Sequence, residues 1–178
     1  MSQASKQIDW CLNKAQREIE ECKKQGKRPK HRGLLKTESN LEEAKEHIKK
    51  AEHNLQVTEY LKTGNFLDIS VSTIFYSMYH CFLAIASKFG YETSNQTCTI
   101  SLMEYLKETK KINLNDKFIE MFKYKESEKE KENSIIEMRE DYTYNTKLSF
   151  NEMKIRDLIK LCKELIDTTK EIVLNTKI

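Results

Sequence analysis

Only four glycines and one proline punctuate the 178 residues. In an average chain those two residue types make up roughly 12%. Sandwiches, barrels and doubly wound sheets turn too often to be built from so few turn residues. Disorder is excluded from the other side, because large aliphatics recur in periodic blocks and aromatics reach 9%. The remaining solution is all-α: an up-and-down bundle of five to six helices with short connections. The length suits a single domain over residues 1–178, with an N-terminal helix and basic loop (1–38) ahead of the bundle core (39–178).

Apolar periodicity places the helices. Ile8, Cys11, Leu12, Ala15, Ile19 and Cys22 form one stripe of a helix running from Ile8 to Gln25. Ser39 and Glu42 form a capping box for a second helix reaching Lys62, and Ser149 with Glu152 form another before the last helix. Between Phe66 and Phe89 the apolar residues cannot fit on one face, so this long central helix is covered on several sides, by the bundle or by a second copy. A short helix is expected over Thr99–Thr109, after a polar loop at Thr93–Thr97. A long helix is expected from Asp116 to Tyr142, its charged middle, Lys125–Asn133, projecting into solvent or fraying.

The five cysteines show no C-x-x-C spacing, Met1–Asp9 is too polar for a signal peptide, and the apolar run Ile74–Ala86 is too short to span a bilayer. These features predict a cytoplasmic protein, off the membrane, with most of its cysteines reduced and buried. Net charge is only +3, yet Lys23–Lys36 holds seven basic residues and no acid. Lys27, Arg28, Lys30 and Arg32 there form a candidate nucleic-acid contact, balanced by its reading as a flexible solvated loop, with His31 a solvated member.

Chemistry is sparse. No phosphate loop, nucleophile elbow or nucleotidyltransferase pattern occurs, and no cofactor is indicated. His47 and His53 are six apart, which no metal pair on one helix face uses, so no metal site is expected. Asp68, Ser72, Tyr76 and His80 stand four apart and form a polar ladder on the central helix, where Tyr and His can satisfy each other or line a pocket. Arg139, Glu140, Asp141, Tyr142 and Tyr144 form a second polar cluster, either an ion pair ending a helix or a partner for the ladder.

The string Asp68-x7-Tyr76-x2-Tyr79-His80, followed by Ala84 and Phe89-Gly90-Tyr91, resembles the core of HEPN (higher eukaryotes and prokaryotes nucleotide-binding) domains. Ala51-x2-Asn54-Leu55-x5-Leu61-x2-Gly64 is similar to that family's second-helix motif, and Arg139-Glu140-Asp141-Tyr142 to its R-x-x-D-Y ending. Asn95-Gln96-x-Cys98-Thr99 resembles a segment of an archaeal branch, and the likeness covers Leu41 to Asp167.

The resemblance implies a helical bundle that commonly dimerises and is often paired with a minimal nucleotidyltransferase as toxin and antitoxin. Many such proteins are metal-independent ribonucleases in which an Arg is followed, after four to six residues, by a His. That His acts as general base on a ribose hydroxyl while the Arg stabilises the phosphorane. Here Arg17, Arg28, Arg32, Arg139 and Arg156 all lack such a His. The reading is therefore a non-catalytic or weakly catalytic HEPN-like protein that binds a second copy, a nucleotidyltransferase or a nucleotide. Its ligand residues would be Asp68, Ser72, Tyr76, Tyr79, His80, Arg139, Asp141 and Tyr142. The alternatives are a ribonuclease with a relocated site, His80 as base and Arg139 as clamp, and an RNA-binding module working through the basic loop.

Overall fold

A computed structural model describes residues 2–127 and 133–176. Among them are seven helices and two short strands: α1 (Gln3–Lys24), β1 (Leu34–Lys36), α2 (Leu41–Thr63), α3 (Leu67–Lys88), β2 (Tyr91–Thr93), α4 (Gln96–Glu108), α5 (Asp116–Glu120), α6 (Ile135–Tyr144) and α7 (Glu152–Asn175). The fold is the expected helical bundle with α3 at its centre, packed against α2, α4, α6 and α7. Phe75, Phe82, Met78 and Ile74 of α3 are fully buried, and Phe118 and Phe122 close on them from beyond α4. The α2 stripe Ala44, Ile48, Ala51, Leu55 and Thr58 is buried as its spacing requires, whereas its ends are looser, with Leu41 partly exposed.

α3 as a whole is long and apolar enough to cross a membrane, beyond what the run Ile74–Ala86 suggested. Most of it is buried inside the bundle.

Three local expectations are corrected and a fourth is refined. Both capping boxes are displaced by asparagines: Asn40 Oδ1 accepts from Glu43 N (3.0 Å) and Asn151 Oδ1 from Lys154 N (3.3 Å). Ser39 is occupied elsewhere, donating its hydroxyl to the Lys88 carbonyl at the end of α3 (2.6 Å). The long helix expected over Asp116–Tyr142 is not continuous. α5 stops at Glu120 so that Phe122 can turn into the core, and Ser134 caps a new helix. Ile135 N–H donates to the Met121 carbonyl (2.8 Å) and closes the break. Of the charged middle expected to project, residues 128–132 lie outside the described residues; Lys125 is half-buried.

The third correction concerns the basic segment. β1 pairs antiparallel with β2, Leu34 opposite Thr93, so part of the anticipated polar loop is strand. The pairing anchors the segment together with Arg32 N–H to Glu18 (2.5 Å), Ser94 Oγ to the His31 carbonyl (2.5 Å) and His31 Nε2 to Glu92 (3.2 Å). The His31 side chain is only 7% exposed, not solvated. Gly33 sits where the segment passes α1: a Cβ there would lie 2.4 Å from the Cys11 carbonyl and 2.7 Å from Ala15 N. Only glycine permits that approach of two backbones.

The last is a refinement: most of the cysteines are free thiols and buried, as expected, but two are joined. α1 crosses α4, which brings together Cys11 and Cys98, 87 residues apart, as a disulfide with its Cα atoms 5.9 Å apart. Cys22, Cys81 and Cys162 are free thiols. Burial raises the Cys81 thiol far above its ordinary range, and the neighbouring Cys162 adds to it; burial pushes Cys162 up to about 11. Only thiolates alkylate readily. Iodoacetamide at pH 8 is therefore expected to label the native oxidised protein at Cys22 alone, with Cys81 and Cys162 reacting only in denaturant. Peptide mass spectrometry reads this out, and native labelling of Cys81 would show that the α3–α7 seam opens.

Candidate functional site

The polar ladder on α3 does not act as one unit. Ser72 shares a hydrogen bond with Thr143 of α6 (3.0 Å), and Tyr76 is 46% exposed with its ring edge-on to Phe75. Asp68 is half-buried near the start of the helix. His80 is not paired with Tyr76. Its Nδ1 lies 3.0 Å from Nδ1 of His47 on α2, the rings 5.2 Å apart and tilted by 34°. Desolvation, then the His47 ring and Lys50, lower His80 to about 4, and desolvation lowers His47 as well. Both shifts favour the neutral imidazole, with one ring donating to the other. Tyr79 ties α3 to α4 through Thr99 Oγ1 (3.0 Å), and burial raises its phenol above the ordinary range.

Arg139 of α6 lies over the other side of α3. Its Cζ is 4.6 Å from the centre of the Phe75 ring, Nη2 donates to Glu140 (3.3 Å), and buried Nε has no partner. Phe75 and His80 are five residues apart, about 140° around a helix. The structure therefore does not gather His80 and Arg139 as a base and its clamp: each is held by a different neighbour on a different flank. At the positions where the resemblance would put a His after Arg139, the chain has Tyr144, Asn145 and Thr146.

What the second polar cluster does form is a cavity of about 600 Å³ where α6 meets the start of α7. Tyr124, Tyr142, Tyr144 and Phe150 give it four aromatic walls, and Lys147, Lys154, Glu137, Glu140 and Asp141 bring charge of both signs. Tyr142 packs edge-on against Phe150 (4.8 Å) and donates to the Ser149 carbonyl (3.2 Å). Asp141 holds Asn145 and Lys147, both at 2.5 Å, and Tyr124 donates to Glu140 (2.8 Å). Tyr124 also lines a second cavity of about 510 Å³ with Asn95, Gln96 and Thr97 at the start of α4.

Of the ligand residues expected from sequence, Asp141 and Tyr142 line the larger cavity. Ser72, bonded to Thr143, and Arg139, turned onto Phe75, do not line it, while Tyr79 and His80 serve other contacts. Sequence reading missed Tyr124, Lys147, Phe150 and Lys154. The interleaving of Tyr142, Tyr144, Lys147, Phe150 and Lys154 was the available signal. Lys27, Arg28, Lys30 and Arg32 are exposed on the anchored basic segment, far along the chain from this cavity. Among the described residues no three His, Cys, Asp or Glu side chains converge as a metal site.

No curated protein matches the chain. The family model of the HEPN domain matches residues 44–173, a span that takes in α3, both cavities and the whole Arg139 cluster and leaves out α1 and β1. Its span and the helical bundle agree with the motif order around Asp68, Tyr76 and Arg139, and the chain belongs to the HEPN domain family.

Proposed function

We propose that this HEPN protein works by binding, and that its ligand is a nucleotide, free or within single-stranded RNA, whose base stacks in the cavity between α6 and α7. The four aromatic walls carry the reading. Stacking on such rings contributes about 1–3 kcal/mol per base and tolerates any base, and the volume suits a ligand of nucleotide size. Lys147 and Lys154 supply positive charge for phosphate, and the carboxylates supply acceptors for amino and hydroxyl groups. The lack of a His after Arg139 and the engagement of His80 with His47 speak against cleavage.

The test is a labelled RNA oligomer in chelator at low salt. Bound, uncut RNA is the expected result, with Tyr144→Ala weakening binding about tenfold. Cleavage that His80→Ala and Arg139→Ala both abolish would replace this reading with a ribonuclease. Binding that survives Tyr144→Ala but vanishes when Lys27, Arg28, Lys30 and Arg32 are neutralised would move the interface to the basic segment.

A second copy of the chain is the proposed protein partner, and a minimal nucleotidyltransferase is the other that the family suggests. Phe66, Ile69 and Tyr76, 58%, 50% and 46% exposed, line up on the one flank of α3 that its neighbours leave open. Self-association would bury this stripe. Tyr76→Glu is expected to shift the protein from dimer to monomer in sedimentation at micromolar concentration while its circular dichroism spectrum stays that of the folded bundle. A wild-type monomer under the same conditions would remove the second copy from the proposal.

A further inference from the structure

We propose that His47 and His80 form a two-imidazole site for a divalent transition-metal ion of the zinc, nickel and copper class. Sequence spacing gave no hint of it, because the two ligands come from different helices, 33 residues apart. Their Nδ1 atoms face each other at 3.0 Å. Two nitrogens bound to one ion at about 2.0–2.1 Å, with an angle between square and tetrahedral, stand roughly 2.9–3.4 Å apart. The observed separation falls in that window, and rotation of the two half-buried rings about their side-chain bonds would turn both lone pairs from each other toward a shared ion.

The backbone under each ring is fixed. His47 is followed by buried Ile48, and His80 by buried Cys81 and Phe82, on two helices packed along their length. The rings themselves are half-buried, so the pair reaches solvent and water can complete the coordination. Glu43 of α2 acts electrostatically on His47 and Lys50 on His80, so the charges beside the pair nearly balance. With no third protein ligand converging among the described residues, the ion would exchange with solution.

Proton accounting is simple. In the metal-free pair one Nδ1–H donates to the other Nδ1. The ion takes both Nδ1 lone pairs, the donor ring moves its proton to Nε2, and no net proton or electron is exchanged. Imidazole ligands favour Cu2+, Ni2+ and Zn2+, while Mg2+ and Ca2+ require oxygen.

Titration calorimetry of the full oxidised chain with Cu2+, Ni2+, Zn2+ and Mg2+ tests the site. The expected result is one transition-metal ion per chain, Cu2+ tightest, and no response to Mg2+. His47→Ala and His80→Ala should each weaken binding by about tenfold or more, while His53→Ala should not. Imidazole nitrogen resonances of the unaltered protein provide a readout independent of any variant: Nδ1 of His47 and His80 should shift on adding Zn2+. If either alanine variant proves unstable by circular dichroism, His47→Gln and His80→Gln take its place. Equal binding by wild type and variants, or shifts confined to His31 and His53, would overturn the proposal.

Discussion

Replacing Cys11 and Cys98 together with alanine is expected to lower the free energy of unfolding by about 4–5 kcal/mol and Tm by roughly 10 °C. The link closes a long loop, with 87 residues separating its ends. In the chain-entropy account it restricts the unfolded ensemble far more than it strains the folded one. Both sulfurs are fully buried, so the alanines also leave a small void that adds to the loss. The α1–α4 packing, the β1–β2 pairing and the bonds from Glu18, Ser94 and Glu92 to the basic segment remain in the variant. None of them restricts the unfolded chain, so they do not replace what the link contributes. Guanidinium unfolding of the oxidised protein and the double variant makes the comparison. A difference under about 1 kcal/mol would mean that the unfolded chain retains the α1–α4 contact without the bond. The disulfide matters beyond stability because α1 and β1 lie outside the span matched by the HEPN family. It attaches a segment outside the family match to the helix whose first turn lines the smaller cavity.

The pattern of successes in the sequence reading has physical causes. α2 and α3 were legible because helix periodicity is a local signal: Ala44, Ile48, Ala51 and Leu55 lie on one face whatever they pack against. The exact caps were not, because Ser39 and Asn40 are both good caps, and the choice depends on Lys88 lying beside Ser39 in space. The break between α5 and α6 was hidden for a similar reason. Phe118, Ile119 and Phe122 read as one helical stripe, and only the position of Phe75 and Phe82 shows why the chain must turn after Glu120. The Cys11–Cys98 link and the His47–His80 pair are long-range meetings of residues with no shared motif, so no spacing rule could find them. The cavity was half legible: Asp141 and Tyr142 carried a family motif, whereas Tyr124 reaches it only through the break after α5.

Phe75→Ala is expected to cost about 3–5 kcal/mol and, unlike other core truncations of the same size, to weaken the nucleotide binding proposed above as well. The stability loss follows from burial: the ring is fully enclosed, with Tyr76, Tyr79 and Phe122 around it at centroid distances of 5.2, 5.8 and 5.5 Å. The binding loss follows from what lies on its remaining face. Arg139 is only 12% exposed and its buried Nε has no hydrogen-bond partner, so the face of Phe75 is what compensates that part of the charge. Such a contact contributes about 0.5–2 kcal/mol, more as water is excluded. With the ring gone, the guanidinium must draw in water or swing outward. Either movement shifts α6, whose Met138, Glu140 and Asp141 form a wall of the larger cavity. Phe82→Ala is the control: it is equally buried and packs on Phe122 at 4.8 Å. It should cost similar stability and leave RNA affinity unchanged at a temperature where both variants are folded. Phe75→Leu should recover much of the stability, because it refills the volume, but not the affinity, because an aliphatic face does not attract the cation. Equal affinities for the Phe75 and Phe82 variants would show that Arg139 does not set the position of α6, and the cavity would then owe its shape to the contacts among its own lining residues, Tyr142 with Phe150, Asp141 with Lys147 and Tyr124 with Glu140.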